Sequence, residues 1–392
     1  MGVVKIEKLV FGGYGLGRGS NGIVLVPDTA PGEVVEYEND GLQGGTALGR
    51  VTRIIDKSPH RRAAPCVHVG ECGGCNWLYL SYSEQIRCKK EIFLDCIDRI
   101  GKFSRPGDID IFTADEFGYR IRAQIKIDHQ NKCAGFYRRK SNEVVKIDKC
   151  PLLADEINNL LANLNSGMIG AIPDNAKSVR ILIGKDAASS PVIGGLTKAN
   201  TEIVVDSINF LADGGSFFQS NQFLLETLGR WACGIVNYES GDDGYCLDLY
   251  GGIGFFSLML ADNFSDIVLV ENVVSQVKAA ERNFKINKKE HIRAMLADVE
   301  RGDSLNKLIK RKRPNCIIVD PPRPGLVKNV RKWLIDTAPS VILYVSCNPS
   351  TFARDAGALI RGGYELSRWA LFDLYPNTHH IESAAVFYNY GG

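Results

Sequence analysis

Apolar residues in the second half of the chain occur in short, uninterrupted runs that alternate with segments of helical period. Strands that are apolar on both faces and separated by helices are typical of a parallel, doubly wound sheet. Residues 215–392 are therefore predicted to form one α/β domain with a Rossmann-like, mostly parallel sheet. The predicted buried strands lie at residues 245–250, 267–270, 316–319 and 341–345.

Residues 1–56 show a different pattern, in which short β-branched segments are interrupted by Gly, Asp and Pro. This spacing of strands and turns predicts a small OB-like β-barrel. Within it, the Phe-Gly-Gly-Tyr-Gly segment at 11–15 has two interpretations. The glycines could serve turn chemistry alone, or the segment could present an exposed aromatic ring for stacking on nucleic-acid bases.

Residues 57–214 are predicted to form a central α+β domain. Ile86, Phe93 and Ile97 fall on one stripe of a predicted helix at about residues 81–102, which is suited to pack on the α/β domain. Two strands are predicted further on, at residues 120–128 and 144–148.

Basic and aromatic residues interleave in the strand region of this central domain. The mixture suits neutralisation of phosphates together with stacking of bases, so an RNA-binding surface is predicted there. A solvated surface with a few packed aromatic rings is the alternative. The basic residues are Arg120, Arg122, Arg138 and Arg139, beside Tyr119, Phe136 and Tyr137.

The composition fits a globular cytoplasmic protein. The chain has 392 residues, 45% of them hydrophobic, and no run approaches the roughly 18 apolar residues of a membrane span. Its 11 cysteines, an odd number without a signal-peptide core, argue against a disulfide framework. We expect a monomer with no membrane partner, whose thiols are ligands, nucleophiles or core residues. The net charge of +2 is too small to identify a nucleic-acid binder by itself.

A glycine-rich loop after the first buried strand indicates a nucleoside cofactor. The Leu-Asp-Leu-Tyr-Gly-Gly-Ile-Gly segment at 247–254 predicts a tight turn, and Glu271 ends the next strand about twenty residues later, where an acidic side chain can hold ribose hydroxyls. The spaced glycine fingerprint of pyrophosphate binding is missing, so S-adenosylmethionine fits better than a dinucleotide. Asp298 is placed to accept from an adenine amino group, with a helix cap as the alternative.

Two further strand ends meet at the same edge of the sheet. The Asp-Pro-Pro-Arg-Pro-Gly segment at 320–325 follows one strand, and its prolines hold Asp320 beside the cofactor crevice. The next strand ends in Ser346 and Cys347, which places a thiol there. Carbon C5 of uracil is a poor nucleophile, and addition of a thiolate to C6 makes C5 reactive as an enolate. Cys347 meets that requirement.

Release of a C5-methylated uracil needs a base that removes the C5 proton. The segment at 376–382 contains both His380 and Glu382. Glu382 is favoured, but the residues alone leave His380 open because histidine has the better unperturbed pKa.

A dense set of cysteines precedes the predicted helix. Cys66, Cys72 and Cys75 have the spacing C-x5-C-x2-C, and Cys150, followed by Pro151, is the natural fourth ligand. Four thiolates could hold zinc or an iron–sulfur cluster, and the Cys-Pro ending resembles iron–sulfur ligation more than a zinc finger.

Taken in order, these motifs resemble the RNA uracil-C5 methyltransferase family. They are the Phe-Phe-Gln-Ser-Asn segment at 217–221, the glycine loop, the Asp-Pro-Pro loop, the Ser-Cys-Asn-Pro segment and the His-Ile-Glu segment. The resemblance spans nearly the whole chain and is greatest to the branch that modifies large-subunit ribosomal RNA, with a TRAM barrel and an iron–sulfur cluster. It implies S-adenosylmethionine-dependent methylation of C5 of a uridine in 23S rRNA. A tRNA uridine is the alternative, and no DNA partner is expected.

The resemblance also implies a role for each site residue. Cys347 would form the covalent adduct with C6, Glu382 would resolve it, and the four cysteines would bind a [4Fe-4S] cluster of structural or RNA-organising role. Gly251 stands where many relatives have Cys, and Phe255 where Asn often follows, so one cofactor contact differs. The implied cofactor contacts are Gln219, Tyr250, Phe255, Glu271, Asp298 and Asp320.

Other functions fit parts of this pattern. Cytosine-C5 methyltransferases also use a cysteine, but they tend to have a second cysteine after the Asp-Pro-Pro loop, where this chain has Arg323. Amino-group methyltransferases have an aromatic residue there. A catalytically inactive RNA-binding or assembly factor is a further alternative. Such a protein would not need to keep the nucleophile, the base and the cofactor-binding residues, all of which are present in this chain.

Overall fold

The computed structural model describes residues 1–19, 22–235, 244–301, 305–306 and 312–390. In these ranges the strands form a closed barrel, a five-stranded sheet, a two-stranded hairpin and an eight-stranded sheet. No helix in the described part of the chain is long and apolar enough to cross a membrane.

The predicted N-terminal barrel is confirmed. Five strands close in the order β1-β2-β3-β5-β4. Val4 and Ile6 on β1, and Val24 and Val26 on β3, fill its interior, as the period of two in a strand requires. The strands are β1 (Gly2–Val10), β2 (Tyr14–Gly19), β3 (Gly22–Val26), β4 (Val34–Gln43) and β5 (Thr46–Asp56).

The segment at 11–15 attaches the barrel to the rest of the protein. Gly12 and Gly13 have positive φ angles of 100° and 88°, which glycine adopts at little cost. Trp77, which is fully buried, donates from its indole nitrogen to the Gly13 carbonyl at 3.4 Å. The Phe11 ring packs edge-on against His379, with centroids 6.0 Å apart. The turn interpretation is the one that this geometry supports.

The central region contains a five-stranded antiparallel sheet in the order β11-β10-β7-β8-β9, covered by one helix. Ile125, Val179 and Ile181 from the sheet and Ile157 and Leu161 from the helix are fully buried together. Its elements are α1 (Tyr82–Cys96) with a π-helical turn (Ile97–Gly101), β6 (Asp110–Phe112), β7 (Arg122–Asp128), β8 (Cys133–Tyr137), β9 (Val144–Lys146), α2 (Asp155–Asn165), a 3-10 turn (Met168–Ala171), β10 (Ser178–Ile183), β11 (Ala187–Ser190), β12 (Asn200–Val205) and β13 (Ile208–Asp213).

The remaining elements build the predicted α/β sheet, in the order β16-β15-β14-β17-β18-β20-β19-β6. Strands β14 to β18 are parallel to one another, and β20 runs antiparallel between β18 and β19. The mostly parallel, doubly wound architecture is therefore confirmed. The elements are α3 (Leu225–Ile235), β14 (Tyr245–Leu249), α4 (Phe255–Met259), a 3-10 turn (Ala261–Asn263), β15 (Asp266–Glu271), α5 (Val274–Ile286), β16 (Ile292–Leu296), β17 (Cys316–Val319), α6 (Lys328–Thr337), β18 (Val341–Ser346), α7 (Pro349–Arg361), β19 (Glu365–Phe372) and β20 (Glu382–Tyr388).

The sheet and its covering helices draw on the predicted central domain. β6 pairs in parallel with β19 at the edge of the eight-stranded sheet. Helix α1 packs on α7, where the rings of Phe93 and Phe352 stack with centroids 5.3 Å apart. Residues 57–214 thus do not form a separate packing unit. A three-residue strand that pairs with a partner far away in sequence leaves no periodic signal, which is why the sequence did not reveal β6.

Candidate active site

A cavity of about 840 Å³ opens beside the carboxyl ends of the parallel strands. Open α/β sheets place their ligands at this edge, because the loops that leave neighbouring strands meet there. The structure brings together every residue predicted for catalysis or cofactor binding. The lining includes Gln219, Tyr250, Phe255, Glu271, Asp298, Asp320, Cys347 and Glu382.

The glycine loop forms one wall of the cavity. Gly254 has a φ of 92°, and a Cβ added there would lie 2.7 Å from the Phe284 ring on α5, so the loop needs glycine at this point. The Glu271 carboxylate accepts hydrogen bonds from the backbone amides of Gly252 at 3.1 Å and Val273 at 2.9 Å. It thereby ties the loop to the end of β15.

Two buried polar atoms in the wall have no partner among the described residues. They are Oε1 of Gln219 and the hydroxyl of Tyr250. A buried polar atom without a hydrogen bond costs free energy, so both point to a polar ligand that completes the site. S-adenosylmethionine offers donors and acceptors at its amino-acid and nucleoside ends, and these residues fit it.

Three carboxyl groups lie close together at the cavity: Asp248 and Glu382 are buried, and Asp320 is partly buried. Burial, and then the neighbouring Asp248, raises the pKa of Asp320 to about 7. Burial, and then Asp320, raises the pKa of Glu382 well above its usual range. Burial also raises the pKa of Asp248 to about 7, although its Oδ2 accepts from the Ser257 hydroxyl at 2.6 Å. A cationic ligand would favour the ionised form of these carboxyl groups and is in turn favoured by it.

Asp248 is a buried neighbour of the cavity residue Asp320 that the sequence analysis did not single out. It lies in the apolar strand β14 and is 1% exposed, and its Oδ1 is buried without a hydrogen bond to the described residues. An acidic side chain within an otherwise apolar, buried strand was the available signal, because such a charge is seldom buried without a function.

Cys347 follows β18 directly and is held by the start of α7. The Asn348 side chain caps this helix by accepting from the Ser350 amide at 3.0 Å, and it donates to the Arg323 carbonyl at 3.0 Å. Burial, followed by the fields of Glu382 and Asp320, raises the pKa of the Cys347 thiol to about 12. The thiol is therefore protonated at neutral pH in the free protein.

The two candidate bases both line the cavity, but their electrostatics differ. Burial, and then His379, lowers the pKa of His380 to about 3, so its imidazole is neutral and weakly basic. Glu382 is 4% exposed and has a raised pKa, which brings a carboxylate closer to the range of an effective proton acceptor. Burial therefore shifts the pKa values of the two candidates in opposite directions, downward for His380 and upward for Glu382.

The four predicted ligand cysteines line a second cavity of about 510 Å³, namely Cys66, Cys72, Cys75 and Cys150. Burial raises the pKa of Cys75, and the nearby thiols of Cys150, Cys72 and Cys66 add to this effect. Among the described residues, no three His, Cys, Asp or Glu side chains form a group that could hold one metal ion. In a cluster each thiolate binds a different iron, so convergence on a single point is not required.

The predicted RNA-binding arginines line the two cavities, and Arg120 lines both. Arg120 and Arg122 line the first, where the Arg122 guanidinium lies 5.3 Å from the centroid of the Phe217 ring. Arg138 and Arg139 line the cysteine cavity. Both of the latter are engaged in ion pairs: Arg139 with Asp28 of the barrel at 2.6 Å, and Arg138 with Glu71 and Glu143.

Comparison with known proteins relates these features to enzymes that methylate RNA. Residues 198–389 match the family model described as tRNA (uracil-5-)-methyltransferase. An RNA methyltransferase of Aquifex aeolicus is 34% identical over 426 residues, which cover 98% of this chain and 97% of that protein. A 23S rRNA (uracil(1939)-C(5))-methyltransferase of Shewanella amazonensis is 28% identical, over 98% of this chain and 95% of its own length.

One solved structure has the same fold over the whole chain. The tRNA (uracil-54, C5)-methyltransferase of Pyrococcus abyssi, in complex with S-adenosyl-L-homocysteine, superposes with a TM-score of 0.74. The match covers 98% of this chain and 100% of that one, at 22% sequence identity.

The raised pKa of Cys347 predicts that the free protein reacts slowly with iodoacetamide at this residue. With a pKa of about 12, roughly one thiol in 10⁴ is ionised at pH 8. The alkylation rate of the Cys347 peptide, followed by mass spectrometry, should rise about tenfold for each pH unit from 8 to 10 because only the thiolate reacts. Alkylation at pH 8 as fast as that of free cysteine would contradict the assigned environment.

Proposed function

This chain belongs to the RNA uracil-C5 methyltransferase family, and from that premise we propose that it methylates C5 of a uridine in 23S rRNA through a covalent adduct of Cys347 that Glu382 resolves. One observation carries the proposal: Cys347 and Glu382 line the same cavity as the residues suited to S-adenosylmethionine. When bound, S-adenosylmethionine supplies an electrophilic methyl group.

Cys347 acts first, as the nucleophile. A bond forms between its Sγ and C6 of the uracil, and the electrons of the C5–C6 double bond move toward O4 as an enolate. C5 becomes nucleophilic and would take the methyl group from S-adenosylmethionine, whose sulfur–methyl bond would break to leave S-adenosylhomocysteine. The thiol must ionise before it attacks, and its pKa falls when a cationic ligand offsets the fields of Asp320 and Glu382.

Glu382 acts second, as the base. It accepts the proton from C5, the C5–C6 double bond forms again, and the bond from C6 to Cys347 breaks, which frees both the methylated RNA and the thiolate. Its raised pKa suits this step, since a stronger base takes the proton more readily.

For the methyl donor we propose the contacts named by the sequence. The unpartnered atoms of Gln219 and Tyr250 would meet its polar ends, and Glu271 would hold the ribose. Asp320 and the buried carboxylates would attract its sulfonium charge. Phe255 is 8% exposed and packs on Phe256 with centroids 5.0 Å apart, so an apolar contact replaces an amide there.

For the RNA we propose that Arg120, Arg122 and Phe217 receive the target nucleotide. They share the wall of the active-site cavity, and the Phe217 side chain is 47% exposed. An exposed ring beside guanidinium groups suits stacking on a base together with contact to phosphate.

Replacing the two catalytic residues should block different steps. Cys347→Ala should bind RNA yet form no adduct and no 5-methyluridine, because no nucleophile remains. Glu382→Gln should transfer the methyl group but release product about 10²- to 10⁴-fold more slowly. A methylated RNA–protein complex that survives denaturing electrophoresis should then accumulate. Formation of 5-methyluridine by Cys347→Ala would exclude the mechanism. Full activity of both Cys347→Ala and Glu382→Gln would exclude this cavity as the active site.

Ribosomal RNA is the proposed substrate because the Shewanella amazonensis relative, which matches nearly the whole chain, is named for 23S rRNA. The barrel and the cysteine set ahead of the α/β sheet favour the same branch. A strain that lacks this protein should lose one 5-methyluridine from 23S rRNA, as detected by mass-spectrometric mapping. Loss from tRNA with intact 23S rRNA would instead establish the tRNA alternative.

The four cysteines are proposed to bind a [4Fe-4S] cluster with a structural or RNA-organising role. The four cysteines line one cavity. Methylation of C5 through a thiolate requires no electron transfer, so the cluster needs no redox role.

We also expect the protein to be a monomer in the cytoplasm.

Protein purified without oxygen should be brown, absorb broadly near roughly 400 nm and contain about four irons per chain. Cys150→Ser should lower the iron content, whereas Cys133→Ser, at a buried cysteine outside the cavity, should keep it. A colourless protein with stoichiometric zinc would refute the cluster.

A further inference from the structure

A buried ion pair joins helix α1 to the loop that leads to Glu382. Lys89 on α1 is 4% exposed, and its Nζ lies 2.5 Å from Oδ1 of Asp373. The same Nζ donates to the Tyr375 carbonyl at 2.9 Å. The two partners of the ion pair are 284 residues apart in sequence.

The position of Asp373 links this ion pair to the site. Asp373 follows β19 directly, and Phe372 at the end of β19 pairs with Glu382 at the start of β20. Residues 373–381 therefore form the connection that begins and ends beside Glu382. Whatever fixes Asp373 and Tyr375 also limits how Glu382 can move.

Helix α1 makes a second contact with this connection one turn away from the first. Gln85, which is fully buried, accepts from the Asn377 amide at 2.7 Å and donates to the Asn377 side chain at 3.0 Å. Gln85 and Lys89 are four residues apart and lie on one face of the helix. Through these hydrogen bonds, Gln85 and Lys89 hold the connection at Asp373, Tyr375 and Asn377.

Further along, the same helix contacts α7, the helix that begins after Cys347. Phe93 stacks on Phe352 of α7, and the Cys96 sulfur lies 3.6 Å from the Ser350 hydroxyl at the start of that helix. Since α7 begins just after Cys347, α1 touches the supports of both catalytic residues.

Stability alone is a weak reason to bury a lysine. Removal of two charges from water offsets much of their attraction, and apolar replacements of such pairs are often at least as stable. Burial lowers the pKa of Lys89, opposed by Asp373, which reflects this penalty. Because desolvation of the two charges offsets much of their attraction, we look for a function of this ion pair other than stabilising the fold.

We propose that the Lys89–Asp373 ion pair is a positioning device that holds Glu382 where it can remove the C5 proton from the methylated adduct. Lys89 and Asp373 are positioning residues and do not touch the substrate. This inference rests on the proposed role of Glu382.

The test uses Lys89→Met in the full-length protein, with Lys90→Met as the matched control at a partly exposed position on the same helix. With RNA and S-adenosylmethionine, Lys89→Met should turn over about 10- to 100-fold more slowly. It should accumulate the methylated, denaturation-resistant RNA–protein complex, with an unchanged KM for the methyl donor. Lys90→Met should behave as the wild type.

A double variant, Lys89→Met with Asp373→Leu, separates positioning from folding. It removes both charges, so its thermal midpoint should recover toward that of the wild type. If the ion pair positions the base, the complex still accumulates. If adduct and product fall together in Lys89→Met and both recover in the double variant, the ion pair only supports folding and the proposal is wrong.

Glu382→Gln, assayed in parallel, tells the two possible failures apart. A complex with Glu382→Gln but none with Lys89→Met or with the double variant overturns the positioning role alone. No complex with Glu382→Gln overturns the proposed role of Glu382 itself, and the positioning role with it.

Discussion

The site depends on carboxyl groups that lie without a cationic partner at the carboxyl edge of the parallel sheet. Asp248 and Glu382 are buried and Asp320 is partly buried, and the pKa of each is raised. Folding alone would not favour this arrangement, because an apolar residue would be less costly at each position. A positively charged ligand would lower the free-energy cost of having ionised carboxyl groups at these positions. The same burial raises the pKa of the Cys347 thiol, which keeps it protonated at neutral pH. In the proposed mechanism, ligand binding and activation of this thiol would therefore be linked.

The sequence predicts which residues share the cavity most directly where these residues lie at the end of a parallel strand. Continuous apolar runs predict the parallel strands, and the carboxyl ends of parallel strands meet at one edge. For this reason Glu271, Asp320 and Cys347 could be assigned to one site before any coordinates were considered, and all three line it. Glu382 was harder, since it begins an antiparallel strand, and the residues alone left His380 open until the family resemblance favoured Glu382.

Long-range pairings could not be predicted. Lys89 on an amphipathic helix looks like an ordinary solvated lysine, and nothing near it in sequence indicates a carboxylate partner 284 residues away. The pairing of the short strand β6 with β19 could not be predicted for the same reason. Arg139 illustrates the converse, because a basic residue expected on an RNA surface forms an ion pair with Asp28 of the barrel. Local composition describes what a side chain can do, whereas the fold decides which partner it meets.

The cysteine cavity and the active-site cavity share a wall formed by Gly74, Arg120 and His380. The backbone beside the last cysteine of the first group is bonded to the catalytic connection, since the Trp77 amide donates to the Asn377 carbonyl at 3.1 Å. A group bound by the cysteines would thus lie on the other side of this shared wall from the active-site cavity.

The addition of β6 to the edge of the main sheet bears on how separable the parts of this enzyme are. β6 covers the hydrogen-bonding edge of β19 that an isolated α/β unit would leave open, and α1 covers apolar surface on α7. An uncovered edge of this kind invites pairing with other chains. The α/β portion is therefore not a freely exchangeable module. Recombination that grafts it onto a foreign RNA-binding region would have to carry α1 and β6 along, which ties the evolutionary history of the two regions together.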